Sequence, residues 1–235
     1  MIKVILFDLD GTLLPLDQEV FVKAYMEEMV KKMVLHGYEP EKLVQVASNG
    51  LKAMTGNAGL RTNEEVFLDE FVKTFGEKVV EDAPLFEEYY RNEFQNVKNV
   101  CGYDAKAKQI VMRLKEKGYR VALATNPVFP AVVTESRIRW AGLEPSDFEV
   151  YTTYEDYHYS KPSPKYYFEV TEKLGVEPNE CMMIGNDVTE DMVTKELGMQ
   201  VFLLTGSLIN RDNKDISEYP HGNFDDLLAY IDECL

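Results

Sequence analysis

Cysteine and histidine are scarce in this chain, three of each in 235 residues. Cys101, Cys181 and Cys234 are odd in number, widely separated and without a Cys-x-x-Cys pair. That excludes a disulfide framework and reads as free thiols in a reducing compartment. His36, His158 and His221 show no ligand spacing, so a zinc or iron centre is not expected. Basic residues are also short: 25 against 41 acidic ones give a net charge of −16, which repels nucleic acid and anionic membranes. No apolar run approaches the length of a membrane span. The first apolar segment, from Ile2, meets an acid at Asp8, too soon for the core of a signal peptide. Repeats, low-complexity tracts and Pro-rich linkers are missing too. These absences predict a cytoplasmic protein with neither nucleic acid nor membrane as partner.

What is present is a chain with 45% hydrophobic residues, enough for one substantial core and a second, smaller unit. Its opening run Val4, Ile5, Leu6, Phe7 ends in Asp8-Leu9-Asp10-Gly11-Thr12-Leu13. Alternate side chains of a strand share a face, so Asp8 and Asp10 leave the strand end on the same side, and Gly11 bends the backbone beyond them. Two carboxylates that close repel unless a cation or a shared proton compensates. An Asp-Gly pair also marks an ordinary tight turn, which accounts for Gly11 but not for both acids.

Short, uninterrupted apolar runs recur at Val121 to Ala124, Phe148 to Tyr151, Met182 to Ile184 and Val201 to Leu204, as expected of strands covered on both faces. Amphipathic stretches lie between them: Lys106 to Lys117, Ala131 to Ala141, Pro164 to Leu174 and Thr189 to Leu197, each followed by Gly, a helix stop signal. The alternation predicts an α/β fold with a doubly wound parallel sheet, whose ligands sit outside the carboxyl ends of the strands. One strand-helix-strand unit takes ~30 residues, yet Asp10 and Thr125 are 125 − 10 = 115 positions apart. The excess carries helical patterns (Val20, Phe21, Ala24, Tyr25, Met29; Val66, Phe67, Phe71, Phe75) and no clear strand. The expected organisation is a core of residues 1–15 and 95–235 with an all-helical unit, 16–94, inserted between. Thr125 and Lys161 are only 36 positions apart, leaving no room for a second insert.

Three further motifs follow predicted strands. Thr125-Asn126-Pro127 offers a hydroxyl and free N–H groups that can hold a phosphate oxygen, although alone it reads as a common loop. Lys161-Pro162 by itself reads as a surface lysine. Gly185-Asn186-Asp187-Val188-Thr189-Glu190-Asp191 supplies two more acids, which would equally cap a following helix. If Asp8, Asp10, Asp187 and Asp191 converge, at ~4 to 6 Å their repulsion calls for a hard divalent cation and Lys161. Mg²⁺ suits such a set, because it takes one or two carboxylates, keeps waters and completes its octahedron with phosphate oxygens.

The order Asp pair, Thr, Lys, Asp pair resembles the signature of the haloacid dehalogenase-like (HAD) hydrolase superfamily. The resemblance implies a Rossmann-like core with a helical cap. It implies Asp8 as nucleophile, Asp10 as acid/base, and Thr125, the Asn126 N–H and Lys161 as ligands of the phosphoryl oxygens. The metal would be held by Asp8, the Asp10 carbonyl and Asp187, with Asp191 direct or through water. An acid at Asp10 separates phosphate chemistry from dehalogenation, which releases a halide and needs no proton. The implied activity is a Mg²⁺-dependent phosphatase of a small phosphorylated metabolite; a phosphomutase or a non-catalytic phosphate-binding module are the alternatives. Within the insert, the irregular stretch from Ser48 to Arg61 is a candidate recognition loop, with Lys52 and Arg61 as candidate substrate contacts or as plain solvated cations. Tyr151, Tyr154, Tyr157 and Tyr159 line an entrance or pack at a strand exit.

Overall fold

The computed structural model describes all residues, 1–235. Five parallel strands form one sheet: β1 (Val4–Phe7), β2 (Arg120–Leu123), β3 (Cys181–Gly185), β4 (Gln200–Leu204) and β5 (His221–Gly222), in the order β2-β1-β3-β4-β5. All four residues of β1 are buried. Ile5 and Phe7 face a core shared with Val121, Leu123, Met182 and Ile184, whereas Val4 and Leu6 face the opposite layer with Ala122, Ala124, Met183 and Leu203. A strand with helices on both faces has no polar side to show, which is why these runs are continuously apolar.

Between β1 and β2 the chain is entirely helical: α1 (Gln18–Val34), α2 (Pro40–Thr55), α3 (Asn63–Phe75), α4 (Lys78–Glu81), α5 (Ala83–Arg91) and a 3₁₀ segment, Glu93–Val100, before α6 (Ala105–Glu116). Helix α1 starts where Asp17 accepts the N–H groups of Glu19 and Val20, both at 3.0 Å; α3 starts at a capping box between Thr62 and Glu65. The chain entering and leaving this insert pairs at Leu16 and Cys101, so the helical excursion runs on to Val100. Phe21, Tyr25, Met29 and Phe94 pack in the same apolar cluster as Ile5 and Phe7. The remaining helices are α7 (Ala131–Trp140), α8 (Pro164–Leu174) and α9 (Phe224–Cys234).

Three expectations need correction. Phe148 to Tyr151 is not a full strand: it runs beside β2 through Glu149 N–H to Val121 O at 2.8 Å and Leu123 N–H to Val150 O at 2.8 Å, with one bridge at Tyr151. As an outer edge it has a partner on one side only. The expected helix from Thr189 is a 3₁₀ turn, Met192–Leu197, because the residues before it are drawn into side-chain bonds described below. The irregular loop from Ser48 is, up to Thr55, part of α2. Gly50 stays helical there because α3 approaches so closely that a Cβ would overlap the Phe67 ring.

Asn63, at the start of α3, is fully buried and ties the insert to the core. Its Nδ2 lies 3.1 Å from Pro127 O and 3.3 Å from Ser160 Oγ, and its N–H donates to Tyr157 O at 2.8 Å. Replacing Asn63 by Ala keeps the backbone bond to Tyr157 O but removes the side-chain donor from Pro127 O and Ser160 Oγ, and is expected to cost about 1–3 kcal/mol. The exposed Lys52→Ala should stay within about 0.5 kcal/mol of the parent. Urea denaturation of both variants checks this.

Candidate active site

Because β1 lies between β2 and β3, the residues just past those three ends share one sheet edge. This is how segments remote in sequence come together. The register sets them level: Asp8 N–H donates to Ile184 O at 2.9 Å, and Ala124 N–H to Phe7 O at 2.7 Å.

Asp8 is buried, and so is the lysine that meets it. Lys161 Nζ lies 2.8 Å from Asp8 Oδ1 and 2.6 Å from Asp191 Oδ1. Burial alone would lower the lysine pKa, but the facing carboxylates of Asp191 and Asp8 outweigh it and hold the ammonium well above its ordinary value. Burial pushes Asp191 up to about 7 against the pull of Lys161. Its second oxygen accepts the Asp187 N–H at 3.0 Å, so both oxygens are engaged. Gly185 permits this, since a Cβ there would collide with the Asp191 carboxylate. The Thr12 hydroxyl lies 3.2 Å from Asp8 Oδ2 and 3.0 Å from Asn186 Oδ1.

Asp187 serves two purposes at once. One oxygen accepts the N–H groups of Thr189 at 2.7 Å and Glu190 at 2.9 Å, the capping pattern; the other meets Arg211 Nη1 at 2.8 Å. Arg211 is 59% exposed and reaches Gln18 at the start of α1, 3.1 Å away. Beyond β2, the buried Thr125 has its carbonyl fixed by Tyr166 Oη at 2.7 Å and Thr152 Oγ at 2.6 Å. Asn126 Oδ1 accepts the Lys161 N–H at 3.3 Å, and its Nδ2 reaches Glu190 at 3.4 Å. Burial raises the Glu190 carboxyl above its usual value, with Lys161 opposing.

Asp10 pairs with Arg137, a residue the sequence reading passed over. Burial raises the Asp10 carboxyl, Arg137 opposes that rise and the Asp8 charge adds to it. The signal for Arg137 was there: Val133, Arg137 and Ala141 are spaced by four, which places a cation on the buried stripe of a helix. Arg211 sits in a loop with no period to reveal it.

Lys52 and Arg61 do not join this cluster. Both are exposed on the insert, and Arg61 is paired with Asp69 at 2.5 Å. The four tyrosines pack at separate places: Tyr151 bonds Glu135 at 2.9 Å, Tyr154 meets the Phe67 ring, Tyr157 the Tyr166 ring, and Tyr159 covers Gly59. No three Asp, Glu, His or Cys side chains form a ready-made metal cage.

Lys161→Met leaves Asp8 and Asp191 facing each other without a cation, an expected loss of about 3–5 kcal/mol. Asp191, already raised by burial, then loses the cation that opposed the rise, so the native variant binds protons more readily than the unfolded chain. The deficit is therefore complete at high pH and shrinks as pH falls toward about 4; chemical denaturation across that range reads it.

Three comparisons bear on this geometry. A family model described as haloacid dehalogenase-like hydrolase matches residues 2–198. The chain is 23% identical over 230 residues to a phosphoglycolate phosphatase of Aquifex aeolicus, covering 98% of this chain and 97% of the relative. It is 26% identical over 204 residues to a glyceraldehyde 3-phosphate phosphatase of Pyrococcus abyssi, covering 85% and 80%. In fold it is similar to a 2-haloacid dehalogenase of Pseudomonas syringae, with a TM-score of 0.66, 18% identity and full coverage of both chains. With its four motifs on one sheet edge and a family match over most of its length, the chain belongs to the haloacid dehalogenase-like hydrolases.

Proposed function

We propose that this hydrolase is a Mg²⁺-dependent phosphatase of small phosphorylated metabolites, working through an aspartyl-phosphate on Asp8. The observation that carries the reading is the buried Asp8 carboxylate held 2.8 Å from Lys161 Nζ at the sheet edge, with Asp10 two residues on. Asp8 attacks phosphorus in line, and the bond to the leaving oxygen breaks. Asp10 gives that oxygen a proton and later takes one from the water that cleaves the aspartyl-phosphate. Lys161, Thr125 and the Asn126 N–H stabilise the charge on the equatorial oxygens. The phosphatase relatives and the acid at Asp10 favour this chemistry over dehalogenation.

The residues fit a hard cation. Asp8 Oδ2 is met only by the Thr12 hydroxyl, and Asp187 Oδ2 is held only by the exposed Arg211. Asp8, the Asp10 carbonyl and Asp187 would hold Mg²⁺, with Asp191 acting through Lys161. When bound, the ion neutralises charge on the nucleophile and the phosphoryl group. Residues 16–94, with their return segment, act as a cap: Gln18 and Asn63 bring the insert against Arg211 and the loops bearing Thr125 and Lys161.

Phosphate release from p-nitrophenyl phosphate with Mg²⁺ tests this. Asp8→Asn and EDTA should each remove activity by at least about 100-fold. Equal, negligible rates in the parent and Asp8→Asn would leave a non-catalytic phosphate-binding module, and an isomer in place of free phosphate would mean a phosphomutase. A panel of phosphorylated acids, sugars and nucleotides should favour small members over phosphoproteins. Arg211→Gln should tighten Mg²⁺ binding in calorimetry, since the guanidinium and the ion share one Asp187 oxygen.

A further inference from the structure

Arg137 is fully buried, and its setting is specific. Nη1 pairs with Asp10 Oδ2, and Nη2 lies 3.2 Å from Thr134 Oγ. The guanidinium carbon stands 4.5 Å from the Phe129 ring centroid and 5.9 Å from that of Phe21. Burying such a pair adds little to stability, because a well-packed apolar residue of similar volume does as well or better. What the pair does provide is orientation. Its second oxygen, Asp10 Oδ1, is shielded from solvent and bonded to nothing.

We infer that Arg137 is a positioning residue that clamps Asp10 Oδ2 and leaves Oδ1 as the only oxygen free to exchange a proton with the leaving group and the attacking water. The inference rests on Asp10 as the proton-transfer group of the proposed phosphatase. The guanidinium is itself fixed, by Thr134 on the same helix and by the rings of Phe129 and Phe21. The carboxylate plane is thereby set from α7 and not only by the turn that carries Asp10. In the catalytic cycle Oδ1 passes its proton to the leaving alkoxide as the phosphorus–oxygen bond breaks, and takes one back from water as the aspartyl-phosphate is hydrolysed. Arg137 neither gains nor loses a proton.

The test is a double-mutant cycle read as kcat and KM on a small alkyl phosphate with Mg²⁺, using Arg137→Met, Asp10→Asn and the double variant, with Arg137→Lys alongside. Arg137→Met should lower kcat by about 30- to 100-fold with KM within about 3-fold, a loss at or just below the lower end of the range ascribed to proton transfer, as expected when the group is misplaced and not removed. In the Asp10→Asn background the same change should alter kcat by less than about 2-fold, because the group it positions is already disabled. Arg137→Lys should recover part of the loss, since an ammonium can hold one oxygen but not as a rigid fork. A structural role alone would lower kcat by the same factor in both backgrounds, and that result overturns the inference. So does a fall in Asp10→Asn activity with Arg137→Met unchanged, which leaves the phosphatase reading standing. If Asp10→Asn keeps full kcat while the parent turns over, both the role of Asp10 and the inference fall. Should Arg137→Met not fold, judged by circular dichroism, Arg137→Lys carries the cycle with the same two outcomes.

Discussion

One buried ammonium, Lys161, stands between the carboxylates of Asp8 and Asp191, and the geometry of the site depends on it. It joins the end of β1 to the loop before α8 and to the turn after β3, three pieces of chain with no covalent reason to meet. Around it the charges do not cancel: Asp8, Asp10, Asp187, Glu190 and Asp191 face Lys161, Arg137 and Arg211, so 3 − 5 = −2. Burial raises the carboxyls of Asp10, Glu190 and Asp191 above their ordinary values, and the Asp8 charge adds to the rise at each of the three. A substrate phosphate adds negative charge to the same place. The divalent cation proposed above, which takes one or two carboxylates and a phosphate oxygen, would answer both.

The chain as a whole carries −16, a field that repels the anion the site is proposed to bind. The proposed binding would draw on short-range positive charge that the long-range field does not cancel: the buried Lys161, N–H groups at the end of β2, and the exposed Arg211. Arg211 also touches α1 of the insert. One side chain thus joins the turn after β3 to the insert.

The core strands were legible in the sequence because a strand covered on both faces must be apolar at every position, and Val4–Phe7 and Cys181–Gly185 are. The motifs at their ends stood out only by their order, since each alone also reads as a turn, a loop, a surface lysine or a helix cap. What escaped the reading depends on contacts between distant segments. Asp187 and Asp191 turn their side chains to backbone N–H groups and to Lys161, and this holds the chain out of the helix that the apolar spacing after Thr189 favours. Gly50 looked like a break, yet it marks where the Phe67 ring presses on α2. Arg137 went unremarked, because its partner lies 127 positions away.

Asp10 shows why both burial and a cation are needed at one carboxyl. An alkoxide leaving group is far more basic than a halide, so its departure needs a proton that dehalogenation does not. A solvated Asp is ionised at neutral pH and has none to give. Burial and the neighbouring Asp8 charge raise the proton affinity of Asp10, which favours its role as an acid when the leaving group departs. Arg137 opposes that rise, which favours the ionised form needed to take a proton from water in the second step. In the proposed mechanism the two influences act in opposite senses on one side chain, burial toward the acid of the first step and Arg137 toward the base of the second.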